Sequence, residues 1–245
     1  MYNLILQSDR QTTRWRLIHT QPQSWHSFTK PCLFPMTVVI VDYGMGNVAS
    51  VQKALRFLNI DSVISNDPAQ IRRASHIVLP GVGSFGQGMR HLKDSGLAAL
   101  LTQEVVHGKK PFLGICLGMQ LLATVGTEGG ECAGLGWIPG QVRLIVPPDA
   151  HLRVPHLGWN TVKVRNGSAV LLPTAADYYF IHSYHFSVDR PEDVAATVEY
   201  GDTLVAALER DNIFAAQFHP EKSQEAGLEL LRRFFEKCTP VEVAQ

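Results

Sequence analysis

The sequence lacks an excess of charge of either sign, a long apolar run and closely spaced cysteine pairs. Its 245 residues contain 22 Lys plus Arg and 22 Asp plus Glu, so net charge gives no indication of binding to nucleic acid or an anionic membrane. No apolar run reaches membrane-spanning length, which predicts a soluble protein. The four cysteines form no C-x-x-C pair, so neither a disulfide framework nor a zinc site is indicated, and the reducing cytoplasm is the expected location.

The first 35 residues differ in character from the rest of the chain. They show no sustained helical or strand periodicity, and they lack the continuous apolar core of a secretory signal. Their few acidic residues keep a transit peptide open as an alternative. We predict either a disordered extension or a true translation start at Met36, followed by a globular domain over residues 37–238 and a short tail over residues 239–245.

The chain from residue 37 onward alternates strand and helix patterns. Apolar, β-branched runs predict strands over residues 37–41, 61–65, 76–81 and 110–116. Helical spacing of apolar residues predicts helices over residues 48–60, 67–74, 96–108 and 119–125. This alternation predicts an α/β fold with a doubly wound, mostly parallel sheet flanked by helices. Closely spaced strands, among them single strands over residues 178–186 and 213–219, predict an antiparallel extension that a final helix closes.

Cys116 lies at the end of the predicted fourth strand, between Gly114 and Gly118. This G-x-C-x-G pattern between a strand and a helix is typical of a nucleophile elbow, whose sharp turn leaves no room for neighbouring side chains. The elbow also places the sulfur at a helix N-terminus, which favours the thiolate. The alternative is an inert buried thiol with glycine neighbours by chance.

A cysteine nucleophile requires a base, and three of the ten histidines lie in suitable places: His182, His185 and His219. Only His219 has a carboxylate two residues later, at Glu221. In extended chain these two side chains face the same way, so Glu221 can orient the imidazole. The alternative is a solvated strand end, but together with G-x-C-x-G the pattern predicts a Cys-His-Glu triad.

Acyl transfer also needs hydrogen-bond donors for an oxyanion, and two places can supply them. One is the N–H of Leu117, directly after the nucleophile. The other is the glycine-rich loop predicted over residues 79–89, where Gly81, Val82 and Gly83 permit the backbone amides to turn. A phosphate-binding loop is the alternative, but we find no Walker Lys-Ser/Thr pair and predict no G-x-G-x-x-G fingerprint that opens a helix.

Motifs across the domain resemble those of a known family. GICLGMQ (114–120) and FHPEKS (218–223) are similar to the class I glutamine amidotransferases, whose Cys, His and Glu occur in this chain order. Together with DYGMGN, LPGVGSFGQGM, PHLGWN and FIHSYHF they resemble the glutaminase subunits of imidazole glycerol phosphate synthases, which act in histidine biosynthesis. The resemblance covers residues 37–238 and implies the class I amidotransferase fold.

The resemblance implies that Cys116 attacks the side-chain amide of glutamine, that His219 transfers the proton and that Glu221 orients the imidazole. It implies that the substrate's amino-acid head binds to the side chain of Gln120 and the backbone of Ser183 and Tyr184. Glu128 is expected to assist. No metal and no organic cofactor are implied.

The resemblance also implies a partner, a separate (β/α)8-barrel cyclase subunit that forms a heterodimer with this chain and receives the ammonia. We expect the interface beside the active site, with Asn47, Trp159 and Lys222 as candidates. Trp159 has a buried core position as its alternative. Three other functions remain open: a glutaminase subunit of a different synthase, a non-catalytic regulatory subunit on the same fold, and a thiol peptidase or γ-glutamyl hydrolase.

Overall fold

The computed structural model describes residues 37–149, 151–165, 167–168, 170 and 175–238. The expectations for residues 1–35 and 239–245 lie outside this part of the chain. Over the residues described, no helix combines the length and the apolar character needed to cross a membrane.

Strands and helices alternate through the first half of the domain, and strands predominate in the second. The strands are β1 Val38–Val41, β2 Ser62–Ser65, β3 His76–Gly81, β4 Phe112–Cys116, β5 Val125–Gly126, β6 Cys132–Ala133, β7 Gly140–Leu144, β8 His156–Val164, β9 Ala176–His182, β10 Tyr184–Val188, β11 Val194–Tyr200, β12 Asp202–Arg210 and β13 Ile213–Ala216. The helices are α1 Val48–Phe57, α2 Pro68–Arg73, α3 Phe85–Asp94, α4 Leu97–Leu101, α5 Leu117–Gln120 and α6 Gln224–Lys237. A π-helical segment, Thr102–His107, extends α4, and 3₁₀ turns cover Pro191–Asp193 and Pro220–Lys222.

The larger sheet has the strand order β2-β1-β3-β4-β13-β12-β11-β8-β9 in the described part of the chain. Its first five strands are parallel, and the remaining strands pair antiparallel. A smaller sheet has the order β10-β7-β5-β6. The predicted α/β fold, a parallel core with an antiparallel extension, is confirmed.

Helices cover both faces of the parallel core, which explains its continuous apolar strands. Every residue of β1, β3 and β4 is buried. On one face α1 and α6 contribute Leu55, Leu231 and Phe234 to the core. On the other face α3 and α4 contribute Met89 and Leu101. Strands enclosed on both sides carry apolar residues at every position, the pattern seen in the sequence.

The helix predicted after Cys116 over residues 119–125 is wrong, because α5 ends at Gln120. The carbonyls of Leu121, Leu122, Ala123 and Thr124 accept hydrogen bonds from backbone N–H groups of residues 134–138. Gly134 allows this approach, since a Cβ there would lie 2.1 Å from the Ala123 carbonyl oxygen. Residues 134–138 therefore hydrogen-bond to the carbonyls that would have to accept from the next turn if α5 continued.

The loop predicted over residues 79–89 is wrong beyond Ser84, because α3 begins at Phe85. Two glycines in the first turns mask a helical pattern in the sequence. Phe85, Met89 and Leu92 follow at i, i+4 and i+7, and all three are buried. Burial of this face offsets the low helix propensity of the glycines.

One predicted strand is broken in two, and another is shorter than expected. The strand over residues 178–186 breaks at Ser183, where the chain leaves the larger sheet as β9 and enters the smaller one as β10. The strand over residues 213–219 ends at Ala216, and Gln217, Phe218 and His219 continue as irregular chain. Apolar alternation runs through both breaks, so periodicity alone does not reveal them.

Candidate active site

Three neighbouring parallel strands bring the predicted site residues to one edge of the sheet. β4 lies between β3 and β13, and Gly81 at the end of β3 is in register with Cys116 at the end of β4. His219 follows the end of β13 by three residues. Since the carboxyl ends of parallel strands share one edge, the glycine loop, the cysteine and the histidine converge.

Cys116 occupies a strained turn between β4 and α5. Its backbone has φ 54° and ψ −109°, a region that non-glycine residues rarely adopt. The flanking glycines are required for steric reasons. A Cβ at Gly118 would lie 1.8 Å from the carbonyl oxygen of Leu79, and one at Gly114 would lie 3.0 Å from the carbonyl oxygen of Gly118. The geometry is that of the predicted elbow.

His219 and Glu221 form a buried hydrogen-bonded pair. Nδ1 of His219 lies 2.8 Å from Oε1 of Glu221, and the two side chains are 2% and 1% exposed. Glu221 lies in the 3₁₀ turn Pro220–Lys222, so the expected extended geometry is wrong although the pairing is present. Because Glu221 occupies Nδ1, Nε2 is the ring nitrogen that stays available, and among the described residues it has no hydrogen-bond partner.

The charges of this cluster favour a protonated imidazole. Burial disfavours the charged ring and by itself lowers the pKa of His219, but interactions with Cys116 and Glu221 outweigh it and raise the pKa to about 9. These two interactions therefore favour the charged form of the imidazole beside the sulfur. Such a pair provides a nucleophile together with a proton donor for a leaving group.

Two of the predicted substrate residues, Gln120 and Tyr184, are hydrogen-bonded to each other, and Gln217 links Gln120 to Cys116. Gln120 is only 6% exposed, and its Nε2 donates to the Tyr184 carbonyl at 2.8 Å and to Oε1 of Gln217 at 2.9 Å. Ser183 lies at the break between the two sheets, and its carbonyl accepts from the N–H of Ile145 at 2.8 Å. Gln120 is thus a buried link between chain segments.

Gln217 was not predicted from the sequence, although it contacts Cys116. It is fully buried, and its Nε2 lies 3.7 Å from Sγ of Cys116. The carbonyl oxygen of Ile181 lies 3.9 Å from the same sulfur. The available signal was a lone amide in the apolar stretch FAAQF, two residues before His219.

The family of the chain follows from comparison with known proteins. The family model for class I glutamine amidotransferases matches residues 39–238, nearly all of the described part of the chain. The chain belongs to this family. Its Cys116 elbow and His219–Glu221 pair lie at the two family motifs identified in the sequence.

Close relatives of this amidotransferase share one name. Imidazole glycerol phosphate synthase subunit HisH of Moorella thermoacetica is 44% identical over 201 residues, which cover 81% of this chain and 94% of the relative. The HisH subunit of Rhodopirellula baltica is 44% identical over 208 residues, covering 84% and 100%. Within the family, the chain belongs with these HisH proteins.

Solved structures agree with the amidotransferase fold. The crystal structure of a putative GMP synthase subunit from Thermoplasma acidophilum superposes with a TM-score of 0.61 at 21% identity, covering 84% of this chain and 94% of that one. Another glutamine amidotransferase crystal structure gives a TM-score of 0.64 at 21% identity, covering 82% and 98%. At this identity the similarity establishes the fold alone.

The glycine loop of the amidotransferase runs past Cys116. A Cβ at Gly81 would lie 2.3 Å from Oη of Tyr43 and 2.9 Å from Cβ of Leu117, so no larger residue fits there. Gly83 has φ 102°, which favours glycine, and the side chain of Val82 is 42% exposed. Burial, with a smaller effect of Cys116, raises the pKa of Tyr43, so its hydroxyl keeps its proton beside this loop.

The phosphate-binding alternative conflicts with the position of Glu128. Residues 81–86 have G-x-G-x-x-G spacing and lead from β3 into α3, contrary to the expectation that no such fingerprint opens a helix. However, Oε2 of Glu128 accepts from the N–H of Phe85 at 2.8 Å, at the helix N-terminus where a phosphate would bind. A carboxylate already occupies this position, and it would repel an anion. The predicted substrate residue Glu128 thus contacts α3.

A chain of buried histidines supports the backbone at Tyr184. Nδ1 of His182 lies 2.9 Å from the Tyr184 carbonyl oxygen, and Nε2 of His182 lies 3.0 Å from Nδ1 of His156. Nε2 of His156 lies 3.2 Å from Nδ2 of Asn160. A carbonyl only accepts, so His182 donates to Tyr184, His156 donates to His182, and Asn160 donates to His156. Every link is satisfied with both rings neutral.

These neutral histidines should make the protein less stable in mild acid. Burial lowers the pKa of His156 to about 4 and of His182 to about 3, whereas both titrate near 6.5 in the unfolded chain. Below pH ~6.5 the unfolded chain therefore binds protons that the folded chain excludes. Stability is full above that pH and falls toward pH 4, by about 2 kcal/mol per histidine at pH 5.

Urea unfolding at pH 7 and pH 5 checks this expectation. The loss of unfolding free energy between the two pH values should shrink by about 2 kcal/mol in His156→Gln, whose amide keeps both hydrogen bonds without a titrating ring. His151→Gln, at an exposed histidine, is the matched control. An equal pH dependence in His156→Gln and the parent chain would contradict the neutral-histidine network.

The predicted interface residues lie on an exposed face near the site. Trp159 is 48% exposed, and its ring meets that of Tyr179 edge-on at a centroid distance of 6.1 Å. Nζ of Lys222 lies 5.9 Å from the centre of the Tyr179 ring. Asn47 caps α1 through a 3.3 Å hydrogen bond from the N–H of Ser50, and α1 packs near the turn that contains Lys222. Trp159 is therefore not a core residue.

Strands β8 and β9, which contain Trp159 and Tyr179, carry further exposed apolar side chains. Leu157 is 59% exposed and Ile181 is 43% exposed, and the two are direct partners across β8 and β9. With Trp159 they form an apolar patch beside Cys116, since the Ile181 carbonyl faces Sγ of that residue. Contiguous exposed apolar surface of this kind marks interaction sites. Over the described residues, no group of His, Cys, Asp and Glu side chains is arranged to hold a metal ion.

Proposed function

We propose that this amidotransferase is the glutaminase subunit of an imidazole glycerol phosphate synthase and hydrolyses glutamine to glutamate and ammonia. The single observation that carries the chemistry is the buried cluster at one sheet edge. It combines Cys116 on a strained turn with His219, whose Nδ1 is 2.8 Å from Glu221. The HisH relatives support the assignment to this synthase.

The proposed reaction proceeds in two steps. The Cys116 thiolate bonds to the γ-carbonyl carbon of glutamine, and the C–N bond breaks as the nitrogen takes a proton from Nε2 of His219 and leaves as ammonia. Water then gives a proton to Nε2 and attacks the thioester, which releases glutamate and restores the thiolate. Glu221 keeps the ring oriented through Nδ1 in both steps.

The remaining predicted residues receive proposed roles in the same reaction. The N–H groups of Leu117 and of the Gly81–Val82–Gly83 loop are proposed to stabilise the oxyanion. The Oε1 atom of Gln120 is proposed to accept from the substrate's ammonium group, because Nε2 already donates to Tyr184 and Gln217. Ser183 is proposed to contact the same amino-acid head. Glu128 is proposed to assist from the end of α3.

The proposed partner is a separate (β/α)8-barrel cyclase subunit, forming a heterodimer. Ammonia released into water would be protonated and lost, so it must pass directly to the chain that consumes it. The apolar patch of Leu157, Trp159 and Ile181 beside the site supports docking at this edge. Lys222 and Asn47 are proposed to lie at the rim of the same interface.

Co-purification tests the proposal. The chain should form a 1:1 complex with a barrel cyclase subunit, and this complex should make imidazole glycerol phosphate with glutamine as the nitrogen source. Partner subunits of anthranilate, GMP and pyridoxal phosphate synthases, offered separately, test the alternative that this is the glutaminase of another synthase. Productive turnover with one of those and none with the barrel would reject the assignment. Glutamine hydrolysis in neither case would favour a regulatory subunit.

We expect glutamine hydrolysis to depend on the partner. Glycines on both sides of Val82 lower the cost of rotating its peptide unit, so an oxyanion donor can turn toward or away from Cys116. If the barrel with bound nucleotide favours the inward state, kcat should rise about 100- to 1,000-fold over the isolated chain, the usual effect of one oxyanion donor. Steady-state kinetics with and without partner and nucleotide measure this. Full activity in the isolated chain, unchanged by either addition, would exclude such a gate.

A further inference from the structure

A continuous hydrogen-bonded chain of side-chain amides reaches the sulfur of Cys116. It begins at the Tyr184 carbonyl, passes through Gln120 and ends at Gln217, whose Nε2 lies 3.7 Å from Sγ. Gln217 is fully buried, and Gln120 is 6% exposed. A buried amide is retained only where its hydrogen bonds are made, so the arrangement fixes both side chains.

The direction of each hydrogen bond follows from the first one. The Tyr184 oxygen is a carbonyl and can only accept, so the Gln120 atom at 2.8 Å from it must be the NH₂ nitrogen. The same nitrogen lies 2.9 Å from Gln217, so the Gln217 atom facing it must be the oxygen. The NH₂ group of Gln217 therefore points at the sulfur and donates to it. If the Gln217 amide were flipped, its NH₂ group would face the NH₂ group of Gln120, and two donors would meet without an acceptor.

We propose that Gln217 is a further catalytic residue, which stabilises negative charge on the Cys116 sulfur by donating a hydrogen bond from Nε2. This inference rests on the proposed glutaminase chemistry only in making Cys116 the nucleophile. A donor to sulfur acts twice in the cycle. It favours the thiolate before attack, and it favours departure of the thiolate when water opens the thioester.

The position of Gln217 separates its role from that of His219. His219 exchanges a proton with the reacting groups, whereas an amide keeps its protons at all relevant pH values. Gln217 therefore contributes a fixed dipole, which the link to Gln120 and Tyr184 holds in one orientation. Because the substrate's head is proposed to bind at Gln120 and Tyr184, the same chain also ties the sulfur to the substrate site.

Alkylation of Cys116 by iodoacetamide across pH 5–10 tests the proposal in the isolated full chain. Only the thiolate reacts, and mass spectrometry of the peptide containing Cys116 separates its labelling from that of the other cysteines. In Gln217→Met, which keeps the length of the side chain but has no donor, labelling at pH values below the midpoint of the parent profile should be about 10-fold slower. The midpoint of the pH profile should move about one unit upward, the effect of losing one hydrogen bond to a charged group. The rate plateau at high pH should equal that of the parent chain.

The matched control is Gln52→Met. Gln52 donates from Nε2 to the Ser62 carbonyl at 3.1 Å and is half-buried away from the site. Its alkylation profile should stay that of the parent chain. If Gln217→Met does not fold, Gln217→Asn serves instead, since an amide one methylene shorter leaves the sulfur out of reach and should shift the profile the same way.

Two outcomes would overturn the proposal. An unchanged profile would mean that Gln217 does not stabilise charge on the sulfur. A labelling rate lowered by the same factor at every pH, with the midpoint unchanged, would mean that Gln217 only positions Cys116 in space. The measurement needs neither the barrel subunit nor glutamine, so it stands apart from the test of the proposed synthase. A shifted profile together with no synthase activity would reject the proposed function and leave the role of Gln217 intact.

Discussion

Replacing Cys116 by alanine should abolish glutamine hydrolysis and glutamine-dependent synthesis. The sulfur is the atom that bonds to the substrate in the proposed reaction, and Cys116 interacts with His219 of the His219–Glu221 pair. Removing a member of a catalytic triad typically lowers kcat by roughly 10⁴- to 10⁶-fold. Glutamate release with the full complex measures the loss.

Two comparisons decide what a loss in Cys116→Ala means. Synthesis with added ammonium salts should persist, because the barrel subunit then receives its nitrogen without the glutaminase. Cys132→Ala, at a partly buried cysteine in β6, should keep full glutaminase activity. More than a trace of glutamine hydrolysis in a clean Cys116→Ala preparation would refute the assigned nucleophile.

Replacing His219 by asparagine should cost nearly as much glutaminase activity as the cysteine change. Interactions with Cys116 and Glu221 outweigh burial and raise the pKa of the His219 ring to about 9, so the ring can donate a proton, whereas an asparagine amide does not exchange protons in this pH range. Members of a triad act as a unit, so the expected loss approaches that of Cys116→Ala. Single-turnover release of ammonia separates this chemical step from product release.

His185→Asn is the control for the assigned base. His185 is buried in β10, and its Nε2 accepts from Nε of Arg143 at 3.3 Å. This change should lower stability more than activity, since the described contacts of His185 do not include Cys116. Equal losses of glutaminase activity at the two histidines would show that His219 is the wrong base.

The parallel core and the elbow were predictable because local sequence determines them. Strands enclosed on both faces need apolar residues throughout, as in β1, β3 and β4, and the turn at Cys116 excludes side chains at Gly114 and Gly118. Cys116 and His219 could also be placed, since Cys116 ends one core strand and His219 follows another by three residues.

What the sequence could not reveal depends on contacts between distant segments. The end of α5 is determined by residues 134–138, and the break at Ser183 by the division into two sheets. Gln217 escaped notice because its meaning depends on Gln120, 97 residues away. The 3₁₀ turn at Glu221 gave the expected pairing by a different route. Local periodicity carries no record of such contacts.

Ile181 presents its side chain to the outer face of the sheet while its carbonyl faces the sulfur of Cys116. If the barrel subunit docks at this edge, a single strand, β9, separates the docking surface from the sulfur of Cys116. No relay through the core would then be needed for one subunit to influence the other. A backbone shift of Ile181 that followed docking would then directly move an atom in contact with the Cys116 sulfur.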